Sequence, residues 1–319
     1  NAINPPTLAS EFVFFGIDMN NCKIYVPANS LNDYKTARYW SMYADAIVAD
    51  GSEVVVAGTI MTTADFVAFA AAVNAGDYSA WKGSDGQTKL GADIDMTGVE
   101  WTPITSFDGV FNGQGHTISK WSTTKALFEQ NRGTIKELVI DASCTLTVEP
   151  SGDEDQNFAF IVGRNESSGV VEGCVNNGDI SASAIASGAN RIGGIVGASY
   201  GQLRGCTNVG DITINSPTTS TKTQNIGGVV SFLNPNADGK EYLGQQLVVN
   251  CTNSGNISVL YGGQPGKVCI GGVVGATKAT QLSTITATCL GTITGCVNTG
   301  ELSYSFTTLS AGTYANVGG

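Results

Sequence analysis

The carboxylates at recurring positions are the residues of this sequence best placed to do chemistry. Asp179, Asp211 and Glu301 share one position of a repeated motif, and Asn256 takes that position in another copy. On neighbouring parallel strands they would lie roughly 4.8 Å apart, a spacing that would suit acid–base hydrolysis or a calcium ion. Each follows a glycine at a turn, however, where Asp and Asn are favoured for backbone reasons alone. We therefore interpret them as structural, and the acidic segment Asp153–Asp155 as a solvated loop tip.

Few other residues in the chain could be catalytic. Among its 319 residues there is one histidine, His116, which cannot complete a catalytic triad alone and which we expect at a turn or on the surface. The sequence has no C-x-x-C pair for zinc. A lyase would need a base beside the acids, but Arg164, Arg191 and Arg204 stand at no fixed offset from them. We therefore expect no catalytic residue, no cofactor and no metal site.

The composition excludes two classes of partner. Lys and Arg total 16 against 27 Asp and Glu, which gives a formal net charge of −11, and the basic residues do not cluster. This distribution argues against binding to nucleic acid or to an anionic membrane surface. The longest apolar run, Phe66–Val73, is far shorter than the about 20 residues that a membrane-spanning helix needs. We therefore expect neither nucleic-acid binding nor membrane insertion.

The recurring acids belong to an internal repeat of the form C-x-N-x-G-[DNE]-[IL]. Its copies begin 32, 45 and 45 residues apart, at Cys174, Cys206, Cys251 and Cys296. The motif asparagines are Asn176, Asn208, Asn253 and Asn298. A second motif, I-G-G-[IV]-V-[GS], begins at Ile192, Ile226 and Ile270, and a degenerate form spans Phe158–Gly163. Repeat periods of about 20 to 50 residues are typical of solenoids and propellers.

Each repeat has the composition of short strands in an all-β solenoid. Ile, Val and Thr dominate, Gly and Asn punctuate, and no helical spacing occurs after residue 130. Because hairpin signals are scarce, we predict a right-handed parallel β-helix and not a propeller, with coils stacked roughly 4.8 Å apart. The asparagines would then form a ladder of amide hydrogen bonds, and the glycine two residues later would make a left-handed corner. The stacked cysteines would be buried thiols, because a disulfide needs its Cβ atoms about 3.8 Å apart.

The ends of a solenoid require caps, and the N-terminal side offers one. Thr62 and Asp65 form a capping box ahead of a helix. The apolar face that would cover the first coil consists of Phe66, Phe69 and Val73. We predict a small α+β segment over residues 1–52 and a parallel β-helix over residues 53–319, with the repeats starting at about residue 158.

The repeats differ mainly in the segments between their motifs. These segments would leave the solenoid at one corner and stack as loops along one side. Aromatic rings with amide neighbours suit a glycan or a protein ligand. The candidate ligand-binding residues in these loops are Tyr261, Gln264, Tyr304, Phe306 and Tyr314. The alternative is that the aromatic side chains only pack the loops against the solenoid.

The sequence resembles two families of bacterial surface proteins. Gly194–Gly197 and Gly272–Gly275, each followed by the cysteine motif, look like GLUG-motif repeats, and residues 93–118 resemble the coils that precede such repeats. The segment Cys22–Ile47 is similar to the terminal unit of BspA-like leucine-rich repeat proteins. These resemblances imply a secreted or surface-attached β-helix of gut bacteria that is adhesin-like.

The GLUG repeat also occurs beside immunoglobulin-A-cleaving metallopeptidases, but the H-E-x-x-H zinc motif of such a peptidase is absent from this chain. We therefore expect a secreted or cell-surface binding or adhesion module, without enzyme activity, within a longer chain. Its expected partner is a host or microbial glycan or a surface protein. Two alternatives stay open: a polysaccharide lyase or glycoside hydrolase of the β-helix type, and a structural stalk of a larger surface protein.

Overall fold

The structure is a computed structural model in which the chain forms two compact units. The units comprise residues 1–56 and residues 57–319, and we call them the N-terminal unit and the β-helix unit. The residues that the structure describes are 4–10, 12–14, 16–17, 22–49, 58–152, 154–183, 188–217, 222–234, 246–262, 266–277, 292–306 and 314–318.

The N-terminal unit is a small α+β assembly with its own apolar core. Its secondary structure comprises the parallel strands Ile24–Val26 and Ile47–Ala49, the α-helix Leu31–Thr36, and the 3₁₀ helices Ala28–Ser30 and Trp40–Tyr43. The buried core consists of Val26, Tyr34, Trp40 and Ile47. The indole Nε1 of Trp40 donates to the carbonyl of Pro6 at 2.8 Å. Because two strands alone are marginally stable, this aromatic packing is what holds the unit together.

The described residues of the β-helix unit form five parallel sheets, which we number I to V in the order in which each coil passes through them. Sheet I comprises Thr59–Ile60, Gln87–Leu90, Val110–Asn112, Thr134–Lys136, Val170–Glu172, Gln202–Arg204, Gln246–Val249 and Thr292–Thr294. Sheet II comprises Ile94–Asp95, Thr117–Ser119, Val139–Ile140, Val175–Asn176, Thr207–Asn208, Thr252–Asn253 and Val297–Asn298. Sheet III comprises Ser122–Thr123, Thr145–Val148, Asp179–Ala182, Ile212–Ser216, Ile257–Tyr261 and Leu302–Phe306.

The remaining two sheets are shorter. Sheet IV comprises Gln156–Phe158, Asn190–Gly193, Thr223–Gly227, Lys267–Gly271 and Tyr314–Gly318. Sheet V comprises Phe128–Asn131, Val162–Asn165, Val196–Ser199, Val230–Leu233 and Val274–Thr277. The early coil that contributes Ser122–Thr123 to sheet III and Phe128–Asn131 to sheet V has no strand in sheet IV. Sheet IV therefore begins at an open edge, the strand Gln156–Phe158.

This topology confirms the predicted all-β parallel β-helix. Equivalent residues of successive coils lie in register, so one apolar position forms a continuous column through the core. In sheet I that column runs through Ile135, Val171, Leu203 and Val248, all fully buried. Each such side chain stabilises the fold by about 1.5–3 kcal/mol through the apolar surface that it removes from water.

The corner between sheets I and II differs from the prediction. The left-handed residues there include Gly173, Gly205 and Gly295, directly before the motif cysteines, with φ of +60°, +58° and +64°. The glycine after each motif asparagine is not left-handed, so the prediction for it was wrong. That glycine is required for space: a Cβ on Gly210 would lie 1.9 Å from the carbonyl oxygen of Gly178 on the coil below.

The predicted capping helix spans Thr63–Asn74, and the 3₁₀ helix Ser79–Trp81 follows it. Thr62 and Asp65 form the capping box, in which each side chain accepts the backbone N–H of the other residue. Phe66 is fully buried and stacks on Trp101, with the ring centroids 4.7 Å apart. The other buried residues of the helix are Phe69, Ala70 and Val73, as the predicted covering of the first coil requires. Among the described residues no helix has the length and apolarity needed to cross a membrane.

Candidate functional site

The side chains at the recurring acid position accept hydrogen bonds from the backbone of the next coil. The Asp179 carboxylate accepts the N–H of Asp211 at 2.9 Å, and the Asp211 carboxylate accepts the N–H of Asn256 at 2.7 Å. The amide oxygen of Asn256 accepts the N–H of Glu301 at 3.0 Å. Each side chain thus supplies an acceptor to a main-chain donor that the turn leaves unpaired. Within the described residues no group of three or more His, Cys, Asp or Glu side chains is arranged to hold a metal ion.

The motif asparagines form a hydrogen-bonded column, which we call the asparagine ladder: Asn176, Asn208, Asn253 and Asn298. Each Nδ2 donates to the Oδ1 of the next asparagine, at 2.8 Å in every step. The same Nδ2 also donates to the carbonyl of the glycine two residues further along its own coil. The first three side chains are fully buried. Because every amide is used by its neighbours, the ladder has a structural role.

The motif cysteines stack beside the ladder as free thiols. Cys174, Cys206 and Cys251 are buried, and Cys296 is half-buried. Hydrogen bonding with Cys174, together with burial, raises the pKa of the Cys206 thiol. Hydrogen bonding with Cys206, followed by burial, raises that of Cys251. Since the thiolate is the reactive form, these sulfurs are poor nucleophiles and poor metal ligands.

The structure places the described aromatic residues of the predicted ligand surface on strands and not in loops, and Tyr261 is not accessible to a ligand. Tyr261 is a strand residue whose side chain is fully buried, because it continues the inward-facing positions of its strand in sheet III. Tyr304 and Phe306 lie in register with Val259 and Tyr261 on the next strand and pack against the same core. Gln264 lies outside the described residues. Tyr314 begins a strand of sheet IV.

A concave site that the recurring motifs do not mark lies at the open edge of sheet IV. We call it the Arg164 groove, and its volume is about 520 Å³. Its lining residues are Thr102, Pro103, Thr105, Thr124, Lys125, Ala126, Glu129, Gln130, Asp155, Gln156, Asn157, Phe158, Gly163 and Arg164. Residues 124–126 occupy the place where the early coil lacks a sheet IV strand, so the groove exists because that strand is missing.

Arg191 fixes one wall of the groove. Its Nη2 donates to the Asp155 carboxylate at 2.5 Å, and its Nη1 donates to the Asn157 Oδ1 at 3.3 Å. The guanidinium lies over the ring of Phe232, 4.8 Å from its centroid. The two terminal nitrogens of this arginine are therefore occupied by groups of the protein, and Asp155 is held at the groove by an ion pair.

Arg164 lies on the opposite wall and is held differently. Its guanidinium lies over the ring of Tyr200, 4.5 Å from the centroid, and its Nε is 3.0 Å from the Glu166 Oε1. Its two terminal nitrogens have no acceptor among the described residues. On sheet V it stands beside Gln130 of the strand below, in register. The side chain is 40% exposed, so the unpaired N–H groups are accessible from the groove.

The other polar groups of the groove are suited to a hydroxylated ligand. Within the described part of the chain, the side chains of Thr102, Thr124 and Gln130 make no hydrogen bond, and Lys125 and Glu129 make no ion pair. Each can therefore donate to or accept from a ligand. Two carboxylates line the site, but Asp155 is committed to Arg191. The groove thus offers hydrogen-bond donors and acceptors, the guanidinium of Arg164, and the carboxylate of Glu129, which has no ion-pair partner among the described residues.

The sequence singled out few of these residues. In the sequence, Arg164 and Arg191 stand at no fixed offset from the recurring acids, and Asp155 belongs to a segment that we interpreted as a solvated loop tip. Neither repeated motif marks a further polar column, which consists of Asn131, Asn165 and Ser199. In this column the Asn131 Nδ2 donates to the Asn165 Oδ1 at 2.8 Å, and the Asn165 Nδ2 donates to the Ser199 Oγ at 3.1 Å. The one feature of the sequence that could have indicated the groove is the absence of a strand pattern over residues 124–126.

The comparisons with known proteins give little further information. No family model matches the chain, and no curated protein matches it. Among solved structures, the chain is similar to one from Bacteroides ovatus described as a "putative immunoglobulin A1 protease", at 16% sequence identity and a TM-score of 0.40. The match covers 82% of this chain and 83% of that chain. At this identity and TM-score the likeness assigns no function to the chain.

Proposed function

We propose that this protein is a non-catalytic glycan-binding module of a secreted or surface-attached protein. The observation that carries the proposal is the Arg164 groove, a site of about 520 Å³ with unpaired hydroxyl, amide and charged groups on a rigid solenoid. This volume lies within the roughly 300–1,000 Å³ that is usual for small-ligand sites. Fixed polar groups on strands lose little entropy when they bind, which favours recognition of a hydroxyl-rich ligand.

We favour binding over catalysis because the reactive side chains of the repeats are buried or hydrogen-bonded within the fold. The recurring acids accept backbone N–H groups, and the motif thiols are buried. The His116 Nδ1 lies 3.2 Å from the Asp93 Oδ1, at hydrogen-bond distance on the early coils, and His116 does not line the groove. Hydrolysis of a glycosidic bond uses two carboxyl groups with different roles, and one of the two in the groove is paired with Arg191.

The proposed location and partners rest on the sequence. The GLUG-like motifs and the BspA-like segment favour a bacterial surface protein in which this chain is joined to other domains. A host or microbial glycan is the proposed ligand, and a surface protein is the other partner that the same resemblance favours. The solenoid would hold the groove away from the cell, which joins the binding role to that of a stalk.

Glycan-array binding of the whole chain tests the proposal. We expect binding to one glycan class, with loss of that binding in Gln130→Trp, because a ring at this position fills the groove beside Arg164. Lys136→Trp is the matched control: it places the same ring on an outward position of sheet I, away from the groove, and should bind as the wild type does.

Two results would contradict the proposal. New reducing ends or unsaturated uronates released from a bound polysaccharide, and abolished in Gln130→Trp, would make the chain a hydrolase or a lyase. Absence of binding to every glycan, with a folded protein by circular dichroism, would leave the stalk as the better description.

A further inference from the structure

We infer, resting on the proposed function, that the Arg164 groove selects a glycan bearing a carboxylate, and that Arg164 binds that carboxylate through its two terminal nitrogens. Two arginines of this region, Arg164 and Arg191, have similar aromatic contacts but different hydrogen-bond partners. Both guanidinium groups lie over aromatic rings, at 4.5 Å for Arg164 and 4.8 Å for Arg191. Only one of them has its terminal nitrogens satisfied by the protein.

Arg191 shows what this arrangement does with a carboxylate. Its Nη2 holds the Asp155 carboxylate at 2.5 Å while the ring of Phe232 supports the guanidinium plane. A guanidinium presents a planar fork of donors that matches a carboxylate and forms short, charge-assisted hydrogen bonds. The molecule thus already contains one stacked arginine bound to a carboxylate, supplied by its own chain.

Arg164 has the same support without the carboxylate on its fork. Tyr200 lies against one face of the guanidinium, and the Glu166 Oε1 lies 3.0 Å from Nε. These contacts restrict the side chain before a ligand arrives, so less conformational entropy is lost on binding. The terminal N–H groups have no acceptor among the described residues, and the residue lines the groove. A ligand carboxylate would complete the arrangement seen at Arg191.

The rest of the groove favours a single negative charge on a hydroxylated molecule. Glu129 and Asp155 also line it, so a doubly charged phosphate monoester would be repelled more than a singly charged carboxylate. Gln130 stands in register beside Arg164, and Thr102 and Thr124 also line the groove. These groups would bind the sugar hydroxyls around the carboxylate. The ligand class is therefore a uronic or sialic acid within an oligosaccharide.

A glycan array with matched pairs tests this inference on the wild-type chain. The array carries oligouronates and sialylated oligosaccharides, the same compounds after reduction of the carboxyl group, and oligosaccharides whose only charged groups are sulfate esters. We expect a preference of about tenfold or more for at least one carboxylate form over its reduced form, because hydrogen bonds to charged groups are among the strongest in proteins.

Variants then assign the preference to one residue. Arg164→Gln should reduce the preference to about one, and Arg164→Lys should retain part of it, because a lysine keeps the charge but loses the fork. Arg204→Gln is the matched control, since Arg204 is an exposed arginine on sheet I whose side chain bonds, among the described residues, only to Gln202. It should leave the preference unchanged.

The outcomes separate this inference from the proposed function. Equal binding of carboxylate and reduced glycans, or an unchanged preference in Arg164→Gln, would overturn the role of Arg164 while glycan binding stands. A preference for the sulfate esters over every carboxylate would overturn the ligand class. Failure to bind any glycan would overturn the proposed function itself. The wild-type preference requires no variant, so a variant that fails to fold does not weaken the test.

Discussion

The asparagine ladder and the Arg164 groove use similar polar side chains with opposite results. In the ladder, every amide of a repeated position is satisfied by the coil above or below, and the side chains are buried. In the groove, one coil lacks its sheet IV strand and polar groups are left without partners among the described residues. Repetition therefore stabilises this solenoid, whereas an interruption of the repeat creates the surface on which a ligand can bind.

The largest expected effect comes from removing one rung of the ladder. Asn208→Ala leaves one N–H of the Asn176 amide and the Oδ1 of Asn253 without a partner in the core. We expect the free energy of unfolding to fall by about 3 kcal/mol, because buried polar groups without partners are costly. Urea denaturation followed by circular dichroism measures this loss.

The groove offers the matched control for that substitution. Asn157→Ala removes a half-buried amide whose Oδ1 accepts from the Nη1 of Arg191 at 3.3 Å. We expect a loss below about 1 kcal/mol, as for most surface substitutions. Equal losses in the two variants would show that the ladder contributes no more to the free energy of unfolding than the groove wall does. That result would contradict the structural role of the ladder.

A smaller difference is expected between the two stacked arginines. Arg191→Gln removes an ion pair with Asp155 in which the arginine is largely buried, and we expect it to cost about 1 kcal/mol of stability. Arg164→Gln also removes an ion pair, with Glu166, but this arginine is more exposed and its terminal nitrogens bond to nothing among the described residues, so we expect a smaller loss of about 0.5 kcal/mol. Thermal unfolding of the two variants beside the wild type measures both. A loss in Arg164→Gln as large as that in Arg191→Gln would indicate a structural role for Arg164.

The fold and the ladder were predictable from the sequence because they repeat. Each copy of the motif placed an asparagine and a cysteine at the same offset, so stacking of Asn176 on Asn208 follows from the parallel register alone. The groove was not predictable in this way, since it depends on what one coil lacks at 124–126. Tyr261 was misassigned for a related reason. Its strand begins at the last motif residue, Ile257, and runs on to Tyr261, whose side chain faces inward.

The smallest expected effect concerns pH, and it distinguishes the neutral ladder from the charged turns of the early coils. Hydrogen bonds from Lys120 and then Thr97 hold the pKa of the Asp95 carboxyl well below its usual range. Because the pKa is lower in the folded state, this group stabilises the fold above its unfolded pKa of about 3.9, and the contribution is lost as the pH falls below that value. The urea midpoint of Asp95→Asn should therefore lie slightly below that of the wild type at pH 7, and the difference should shrink as the pH falls from 5 towards 2. The deficit of Asn208→Ala should stay constant over the same range, since amides do not titrate. A deficit of Asn208→Ala that shrinks in parallel with that of Asp95→Asn would mean that the ladder's contribution depends on charged neighbours and not on its own hydrogen bonds.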